Sequence, residues 1–307
     1  MPPAWLTVGD EVAAALAAGR PVVALESTLI THGLPWPTNR DTARDAEAAV
    51  RAGGAVPATV AVWHGRPTVG LSAVQLDELA RAEGVWKASR RDLGAAVGLD
   101  RLAATTVSAT MILAHAAGVR VFATGGIGGA HRPTDGAAVS WDVSADLTEL
   151  ARTPVLVVCA GAKSILDLPR TVEHLETLGV PVLGYRTDRF PRFTVADDAD
   201  GLPVSAQVET PAEAAAVFAA HVRLGGGGVL LAQPCPMDVA VPADVYAAAL
   251  AEALADADRE RAHGPKATPF VLARLAELTA GRILAANRAL IVANARLAVE
   301  VAVALRG

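Results

Sequence analysis

The chain has 307 residues, 52% of them hydrophobic and 4% aromatic, and its formal net charge is −5 at pH 7. This length and composition predict a compact globular protein with a substantial core and argue against an intrinsically disordered chain. Its 27 Lys and Arg stand against 32 Asp and Glu without a basic run, which argues against a nucleic-acid polymer as partner. A small phosphate-bearing ligand remains compatible with this charge.

The two ends of the chain and the cysteines bear on its location. The N-terminal segment lacks a basic stretch followed by an apolar one, so we expect no signal peptide. Residues 283–305 are strongly apolar but contain three charged residues, which predicts a buried helix rather than a membrane span. Cys159 and Cys235, the only cysteines, lack the spacing of a zinc site. A reducing cytoplasm is therefore the expected location. A structural disulfide between the two cysteines is the alternative that we favour less.

Apolar runs that alternate with helical patterns give the strongest signal for the fold. The runs that predict strands are PVVALE (21–26), ATVAVWH (58–64), PTVGL (67–71), GVWKAS (84–89), VRVFATG (119–125), VLVVCAG (155–161), PVLGYR (181–186) and GGVLLAQ (227–233). Such alternation predicts an α/β protein with a largely parallel sheet flanked by helices.

Helical patterns occupy most of the segments between these runs. The first, TNRDTARDAEAAVRAGG at 38–54, offers Thr38 as its N-cap and ends at a glycine pair. Similar patterns cover 105–118 and 210–226, and only helical patterns follow Pro242. The chain shows no internal repeat and no low-complexity linker. We therefore expect one domain over residues 1–307, with a helical C-terminal segment.

Three charged residues stand at the ends of predicted strands: Glu26, Lys87 and Lys163. The carboxyl ends of strands in an α/β sheet usually carry the reactive groups. A lysine amine is a nucleophile only when it is neutral, and burial or a second cation lowers its pKa. A partly desolvated carboxylate is suited to proton transfer. Together the three residues predict a site along one edge of the sheet.

Each of these residues also has a simpler interpretation. Lys163 could pair with the following helix or extend to water, and Lys87 could belong to a basic surface turn. Glu26 could serve only as a hydrogen-bond partner of Ser27 and Thr28. If the two lysines face one pocket, one of them lowers the pKa of the other or binds a phosphate as a point charge.

The segment VFATGGIGGAHR at 121–132 is rich in glycine but is not a dinucleotide-binding fingerprint. His131 stands where the third glycine of that motif is required. The backbone N–H groups of the segment could bind an anion, with Thr124 and His131 at the rim. The alternative is a mobile surface loop.

The segment SWDVSADL at 140–147 places Asp142, Ser144 and Asp146 at a predicted helix start, where aspartate is a common N-cap. Asp142 and Asp146 are four residues apart and would share one helix face, which suits a divalent cation that keeps most of its water. Capping accounts for one aspartate, and both metal and substrate binding stay open for the pair.

Several of these segments together resemble one protein family. The sequence resembles pseudouridine-5′-phosphate glycosidases and the related indigoidine-synthase-A-like proteins, in order from about residue 25 to residue 294. The blocks that carry the resemblance are ALESTLITHGLPWPTN, WKASRRDL, TTVSATMILAHAAGVRVFATGGIGGAHR, DVSADLTEL, VVCAGAKSILDLPRTVEHLETLGVPVLGYRTDRFPRF and GPKATPFVL.

The resemblance implies a three-layer α/β/α fold with a largely parallel or mixed central sheet. It also implies a homotrimer, a divalent cation (typically Mn²⁺), and cleavage of pseudouridine 5′-phosphate to uracil and ribose 5-phosphate. The bond broken joins two carbons, so no leaving oxygen can be protonated. An amine condensed on the opened ribose supplies an electron sink instead.

The resemblance also implies a role for individual residues. Lys163 matches the family lysine that forms the Schiff base, and Glu26 matches the acid that assists ring opening. Asp142 matches the aspartate on the metal side. The remaining matches are substrate or pocket positions, namely Lys87, Val107, Thr124, His131, Ser144, Ala145, Asp146 and Asn287.

Two places depart from the family pattern. The family usually reads Asn-Pro-Ile-Pro followed by acids, whereas this chain has QPCPMD at 233–238, and Ala293 replaces the asparagine usually paired with Asn294. Two alternatives stay open: a Schiff-base enzyme acting on another C-ribosyl phosphate in secondary metabolism, and a non-catalytic protein that binds nucleotide phosphates. Retention of Lys163 and Glu26 argues against the second, because binding alone needs neither an amine nucleophile nor a proton shuttle.

Overall fold

The computed structural model consists of a central sheet surrounded by helices, and it describes residues 2–133, 140–196, 201–260, 262 and 267–306. The strands are β1 (Thr7–Val8), β2 (Val22–Leu25), β3 (Val56–Trp63), β4 (Arg66–Val69), β5 (Trp86–Ala88), β6 (Ala103–Thr105), β7 (Val121–Ala123), β8 (Leu156–Cys159), β9 (Val182–Tyr185), β10 (Ala206–Val208) and β11 (Val229–Ala232).

The helices lie between and after these strands. They are α1 (Asp10–Ala17), α2 (Thr38–Ala52), α3 (Ala73–Arg81), α4 (Leu93–Gly98), α5 (Val107–Ala117), α6 (Ala145–Leu150), α7 (Leu168–Thr177), α8 (Pro211–Arg223), α9 (Ala243–Arg259), α10 (Ala267–Leu278) and α11 (Arg282–Ala304). A π-helical turn at Leu29–Gly33 follows β2, and a 3₁₀ turn at Arg90–Asp92 follows β5.

The sheet is mixed but largely parallel. Its order is β1-β4-β3-β2-β7-β8-β11-β9-β10, and β6 joins β5 to β3. Among the strands in the described part of the chain, pairing is antiparallel only between β3 and β4 and between β3 and β6. The central strands β2, β7, β8 and β11 are parallel, and all of their residues are buried. Apolar runs of this kind are what parallel strands covered by helices require.

Helices enclose this sheet, which confirms the predicted α/β/α class. The long helix α11 contacts α2 and α8 as well as β2, β7 and β8, whereas α1 and α5 contact β2 and β3. A continuous hydrophobic cluster extends through these layers and includes side chains from Leu6 to Ala302. In the described part of the chain, no helix combines the length and the apolar character that a bilayer crossing needs.

All eight predicted strands are present, and three further strands were not predicted. The additional strands β1, β6 and β10 contain only two or three residues each. A segment this short cannot display the periodicity from which strands are predicted.

One detail of the predicted helices was wrong. Thr38 is the first residue of α2 rather than its N-cap, because Pro37 occupies the cap position with a helical backbone. The predicted helical C-terminal segment is present, and Ala280 and Gly281 adopt positive φ angles of 49° and 79° between α10 and α11. A left-handed pair of this kind ends one helix and redirects the chain into the next.

The strand register determines which residues meet at the edge of the sheet. Leu25 of β2 is paired with Ala123 of β7, which is paired in turn with Val158 of β8. Because these strands are parallel, the residues that follow them emerge on the same edge. Glu26 and Thr124 are therefore neighbours there.

Lys87 lies on a strand whose direction differs from the one predicted. It is the middle residue of β5, which is parallel to β6, and β6 is antiparallel to β3. Since β3 is parallel to β2, β5 runs opposite to the central strands. The prediction that Lys87 ends a strand was therefore wrong, but the pairing of Lys87 with Ala104 and of Ala104 with Ala61 still places it at the carboxyl edge of β2.

Candidate active site

A cavity of about 780 Å³ opens at the carboxyl edge of the central strands. Five of the residues singled out from the sequence line it, namely Glu26, Lys87, Thr124, Lys163 and Asn287. Much of its remaining wall is apolar and comes from the π-helical turn, α10 and α11, including Leu29, Leu272, Ala276, Ile283, Leu284 and Ile291. A concave site with a few polar groups on an apolar background is typical of small-molecule binding.

Glu26 follows β2 directly and is held by two hydroxyl groups. The hydroxyl of Thr28 donates to one carboxylate oxygen, and the hydroxyl of Thr124 donates to the other. Ser27 does not contribute, because its hydroxyl donates to the carbonyl of Val60 at 2.6 Å. The carboxylate is thus oriented by donors from two neighbouring strand ends, and it faces the cavity.

Lys163 is placed by a continuation of the β7–β8 pairing beyond the ends of both strands. The amide of Ala160 donates to the carbonyl of Gly125 at 2.9 Å, and the amide of Ile127 donates to the carbonyl of Gly161 at 3.0 Å. The amide of Lys163 then donates back to the carbonyl of Ile127 at 3.1 Å. These bonds hold the loop after β8 against the glycine-rich segment, and the half-buried Lys163 side chain lines the cavity.

Gly161 is required where this loop crosses a third segment. Its φ angle is 78°, in the left-handed region that favours glycine. A β-carbon at this position would also overlap the carbonyl oxygen of Pro191. The close approach of Pro191 and the neighbouring bridge between Gly161 and Arg192 fix the loop from its other side.

The amine of Lys87 lies among charged groups of both signs. Burial is the largest cause that lowers the pKa of Lys87, and the charge of Lys163 lowers it further. The carboxylates of Glu26 and Asp146 act in the opposite direction. More than a third of the Lys87 residue surface remains accessible, because the residue borders the open cavity. The two lysines therefore share one electrostatic environment, as expected if they face one pocket.

A second group of predicted residues lies where the N-termini of α5 and α6 meet. The buried carboxylate of Asp146 accepts the amide of Ser108 and the amide of Gly128, each at 2.9 Å. Val107 and Ala145 are the first residues of the two helices, and Ser144 is the N-cap of α6. None of these predicted residues lines the cavity, but the carboxylate of Asp146 is close enough to raise the pKa of Lys87.

Asp142 and Asp146 do not share a helix face, so that part of the prediction was wrong. α6 begins at Ala145, and its N-cap is Ser144, whose hydroxyl accepts the amide of Asp146 at 3.2 Å. Asp142 precedes the helix, and its side chain is 67% exposed. Its carboxylate lies 4.0 Å from Nε2 of His131, which the glycine-rich segment carries.

Several amides of the glycine-rich segment already have partners within the protein. The amides of Ile127, Gly128, Ala130 and His131 donate to Gly161, Asp146, Thr171 and Asp142, respectively. These bonds connect the loop of Lys163 to the start of α6. Gly125 and Gly126 of the same segment line the cavity, so anion binding by the segment stays a prediction for that part.

The cavity is also lined by residues that the sequence did not single out for the site. His32 and Thr31, from the π-helical turn, line the cavity. Burial and the charge of Lys87 lower the pKa of His32, which favours its neutral form. The turn starts only three residues after Glu26, but a single histidine in a short irregular segment gave no pattern that could have predicted its place.

Comparisons with known proteins find similar sequences over nearly the whole chain. The family described as indigoidine synthase A like protein matches residues 11–304. A pseudouridine-5′-phosphate glycosidase of Methylobacterium nodulans is 55% identical over 100% of this chain and 90% of its own length. A protein of the same name from Herpetosiphon aurantiacus is 54% identical over 98% of each chain.

Two solved structures are also similar. The crystal structure of the prealnumycin C-glycosynthase AlnA in complex with ribulose 5-phosphate has a TM-score of 0.90 and 42% identity, and the match covers 99% of this chain and 98% of AlnA. An indigoidine synthase A-like protein from Thermotoga maritima has a TM-score of 0.86 and 33% identity, with the same coverage. Of the six blocks quoted from the sequence, only the start of GPKATPFVL (264–266) lies outside the described residues.

The shared environment of the two lysines predicts opposite effects of two variants on one pKa. We expect Lys163→Met to raise the pKa of Lys87, because it removes the neighbouring positive charge, and Asp146→Asn to lower it, because it removes a negative charge. Nuclear magnetic resonance of protein labelled at the lysine side chains measures this directly. Lys87, Lys163 and Lys266 are the only lysines, so each signal can be assigned by substitution. An unchanged Lys87 titration in both variants would contradict the arrangement.

Proposed function

Because this chain belongs to the family of indigoidine synthase A like proteins, we propose that it cleaves pseudouridine 5′-phosphate to uracil and ribose 5-phosphate through a Schiff base on Lys163. The observation that carries the proposal is the meeting of Lys163 and a doubly hydrogen-bonded Glu26 in one cavity. The names of the curated relatives at 54–55% identity support the substrate.

Glu26 would act first, as the acid that assists opening of the ribose ring. It would deliver a proton to the ring oxygen, while the Lys163 amine bonds to the anomeric carbon. Thr28 and Thr124 hold both carboxylate oxygens, so the proton would be transferred from a fixed position. Holding the amine and the acid against one substrate turns encounters between separate molecules into steps within a single complex.

Lys163 would then supply the electrons that break the carbon–carbon bond. The nitrogen lone pair forms an iminium with the former anomeric carbon, and the electrons of the broken bond stay on the uracil carbon, which takes up a proton. Water adds to the iminium, releases ribose 5-phosphate as its aldehyde and restores the lysine. The sum is one pseudouridine 5′-phosphate and one water converted to uracil and ribose 5-phosphate.

Lys87 and the N-terminal residues of α5 and α6, which meet, would bind the sugar phosphate. Lys87 provides a positive charge beside the reacting groups, and a lysine binds phosphate as a point charge. Val107, Ser144, Ala145 and Asp146 lie at the starts of two helices, where partial positive charge favours anions, and Asp146 interacts electrostatically with Lys87. Asn287, on α11, lines the cavity and would contact the substrate there, and His131 would contribute from the rim.

Asp142 fits a divalent cation that keeps most of its water. Among the described residues no cluster of three His, Cys, Asp or Glu side chains could hold a metal ion. An exposed carboxylate with water as the other ligands nevertheless suits the hard oxygen preference of Mn²⁺ or Mg²⁺. We include Mn²⁺ at Asp142 in the proposal, where the bound cation would supply positive charge for phosphate oxygens.

A second candidate function is C-glycosylation or C-deglycosylation with another C-ribosyl phosphate. The 42% identity to a prealnumycin C-glycosynthase over nearly the whole chain favours it, as does the departure at 233–238. A homotrimer and a cytoplasmic location also belong to the proposal. Sedimentation of the purified protein tests the trimer.

Borohydride reduction in the presence of ribose 5-phosphate tests the Schiff base. We expect a stable adduct on Lys163 by peptide mass spectrometry, absent from Lys163→Arg, which keeps the charge but cannot form the imine. Lys87→Arg is the matched control and should still be labelled at Lys163. An adduct confined to Lys87 or Lys266 would refute the assignment.

Release of uracil from pseudouridine 5′-phosphate, followed by ultraviolet absorbance, tests the substrate and the acid together. We expect turnover by the wild type and a loss of about 100- to 10,000-fold in Glu26→Gln, the usual scale for a general acid. Glu11→Gln, which removes an exposed carboxylate paired with Arg51, is the control and should keep wild-type turnover. An adduct on Lys163 without uracil release would favour the second candidate function, and near-normal turnover of Glu26→Gln would remove Glu26 from the mechanism.

Binding of Mn²⁺, followed by electron paramagnetic resonance of the free ion, tests the metal proposal without an activity assay. We expect Asp142→Asn to weaken binding at least about 10-fold, because it removes the anionic ligand. Asp188→Asn removes another exposed carboxylate and should leave binding unchanged. Equal binding by the wild type and Asp142→Asn would exclude Asp142 as the ligand.

A further inference from the structure

A chain of hydrogen bonds connects the helix α11 and the loop after β11 to Glu26. The side chain of Gln233 donates from Nε2 to Oδ1 of Asn294 at 2.8 Å. Asn294 donates from Nδ2 to the carbonyl of Thr124 at 2.7 Å and, less closely, to that of Gly125 at 3.3 Å. Thr124 in turn donates its hydroxyl to Glu26.

The orientation of the Asn294 amide follows from its partners. Backbone carbonyls only accept hydrogen bonds, so the NH₂ group must face Thr124 and Gly125. The amide oxygen then faces away from them and needs a donor, which Gln233 supplies. Asn294 is fully buried, and a buried amide left without one of these partners is costly.

The turn at Thr124 and Gly125, whose carbonyls accept hydrogen bonds from Asn294, is packed tightly against α11. A β-carbon on Gly125 would lie 3.2 Å from Ile291 and 3.3 Å from Oδ1 of Asn287. Asn287 and Asn294 are two helical turns apart and therefore lie on the same face of α11. That face thus meets the strand end that carries Thr124.

We propose that Gln233 and Asn294 are positioning residues that hold Thr124 where its hydroxyl orients the carboxylate of Glu26. This inference rests on the proposed function, in which Glu26 transfers a proton during ring opening. It assigns a task to Gln233, one of the two places where the chain departs from the family pattern. Neither Gln233 nor Asn294 lines the cavity, so both act through Thr124.

A merely stabilising role and a positioning role differ in how variants combine. If Asn294 serves only the fold, its loss and the loss of the Thr124 hydroxyl affect turnover independently. If it positions that hydroxyl, its loss matters little once the hydroxyl has been removed. A double-mutant cycle measures this difference.

The cycle uses Asn294→Leu and Gln233→Leu, each alone and combined with Thr124→Val, which keeps the shape of Thr124 but removes its hydroxyl. We expect each leucine variant alone to lower kcat for uracil release about 10- to 100-fold with little change in KM, the scale of a small displacement of a catalytic group. In the Thr124→Val background we expect less than about a twofold further loss. If Asn294→Leu does not fold, Gln233→Leu, at a half-buried position, carries the cycle alone.

Ser205→Ala is the control for loss of a side-chain hydrogen bond elsewhere in the sheet. Its hydroxyl accepts the amide of Val182 at 3.1 Å, away from the cavity, so kcat should stay at the wild-type value in both backgrounds. Additive losses in the two leucine variants, or unchanged kcat in both, would overturn the inference while the proposed function stands. A wild type that neither releases uracil nor forms the Lys163 adduct would overturn the proposed function itself.

Discussion

The site depends on the parallel pairing of β7 and β8 continuing beyond the ends of both strands. Backbone hydrogen bonds from Ala160, Ile127 and Lys163 join the loop after β8 to the glycine-rich segment after β7. The same glycine-rich segment contains Thr124, whose hydroxyl donates to Glu26, and Gly128, whose amide donates to Asp146. These backbone hydrogen bonds therefore fix the positions of Lys163, Glu26 and Asp146 relative to one another. Each bond contributes only about 1 kcal/mol to stability, but together they leave the loop few alternative conformations.

Most of the fold could be predicted from the sequence because its signals are local. Uninterrupted apolar runs, separated by helical patterns that end at glycine, predicted every strand longer than three residues in the described part of the chain. Glu26 and Lys163 could be placed at one sheet edge because the carboxyl ends of parallel strands meet there. The direction of β5 could not be predicted, since it depends on pairing with β6, a strand of three residues with no pattern of its own.

Local sequence patterns could not predict contacts between side chains that lie far apart in the chain. The spacing of Asp142 and Asp146 suits a shared helix face, but the helix begins only after Ser144, so one carboxylate is exposed and the other is buried. The link between Asn294 and Thr124 joins residues 170 positions apart. The resemblance to a family identified Lys163 and Glu26 as a pair, and the structure adds how the surrounding backbone and hydroxyl groups hold them.

A crystal structure of the borohydride-reduced adduct with ribose 5-phosphate would test the central claim most directly. The account predicts a bond between Nζ of Lys163 and C1 of the sugar, with the Glu26 carboxylate in hydrogen-bond reach of the oxygen on C4, the former ring oxygen. Thr124 should still donate to that carboxylate, and the phosphate should lie near Lys87. A sugar bound to another nitrogen, or a Glu26 side chain turned away from the opened sugar, would contradict it.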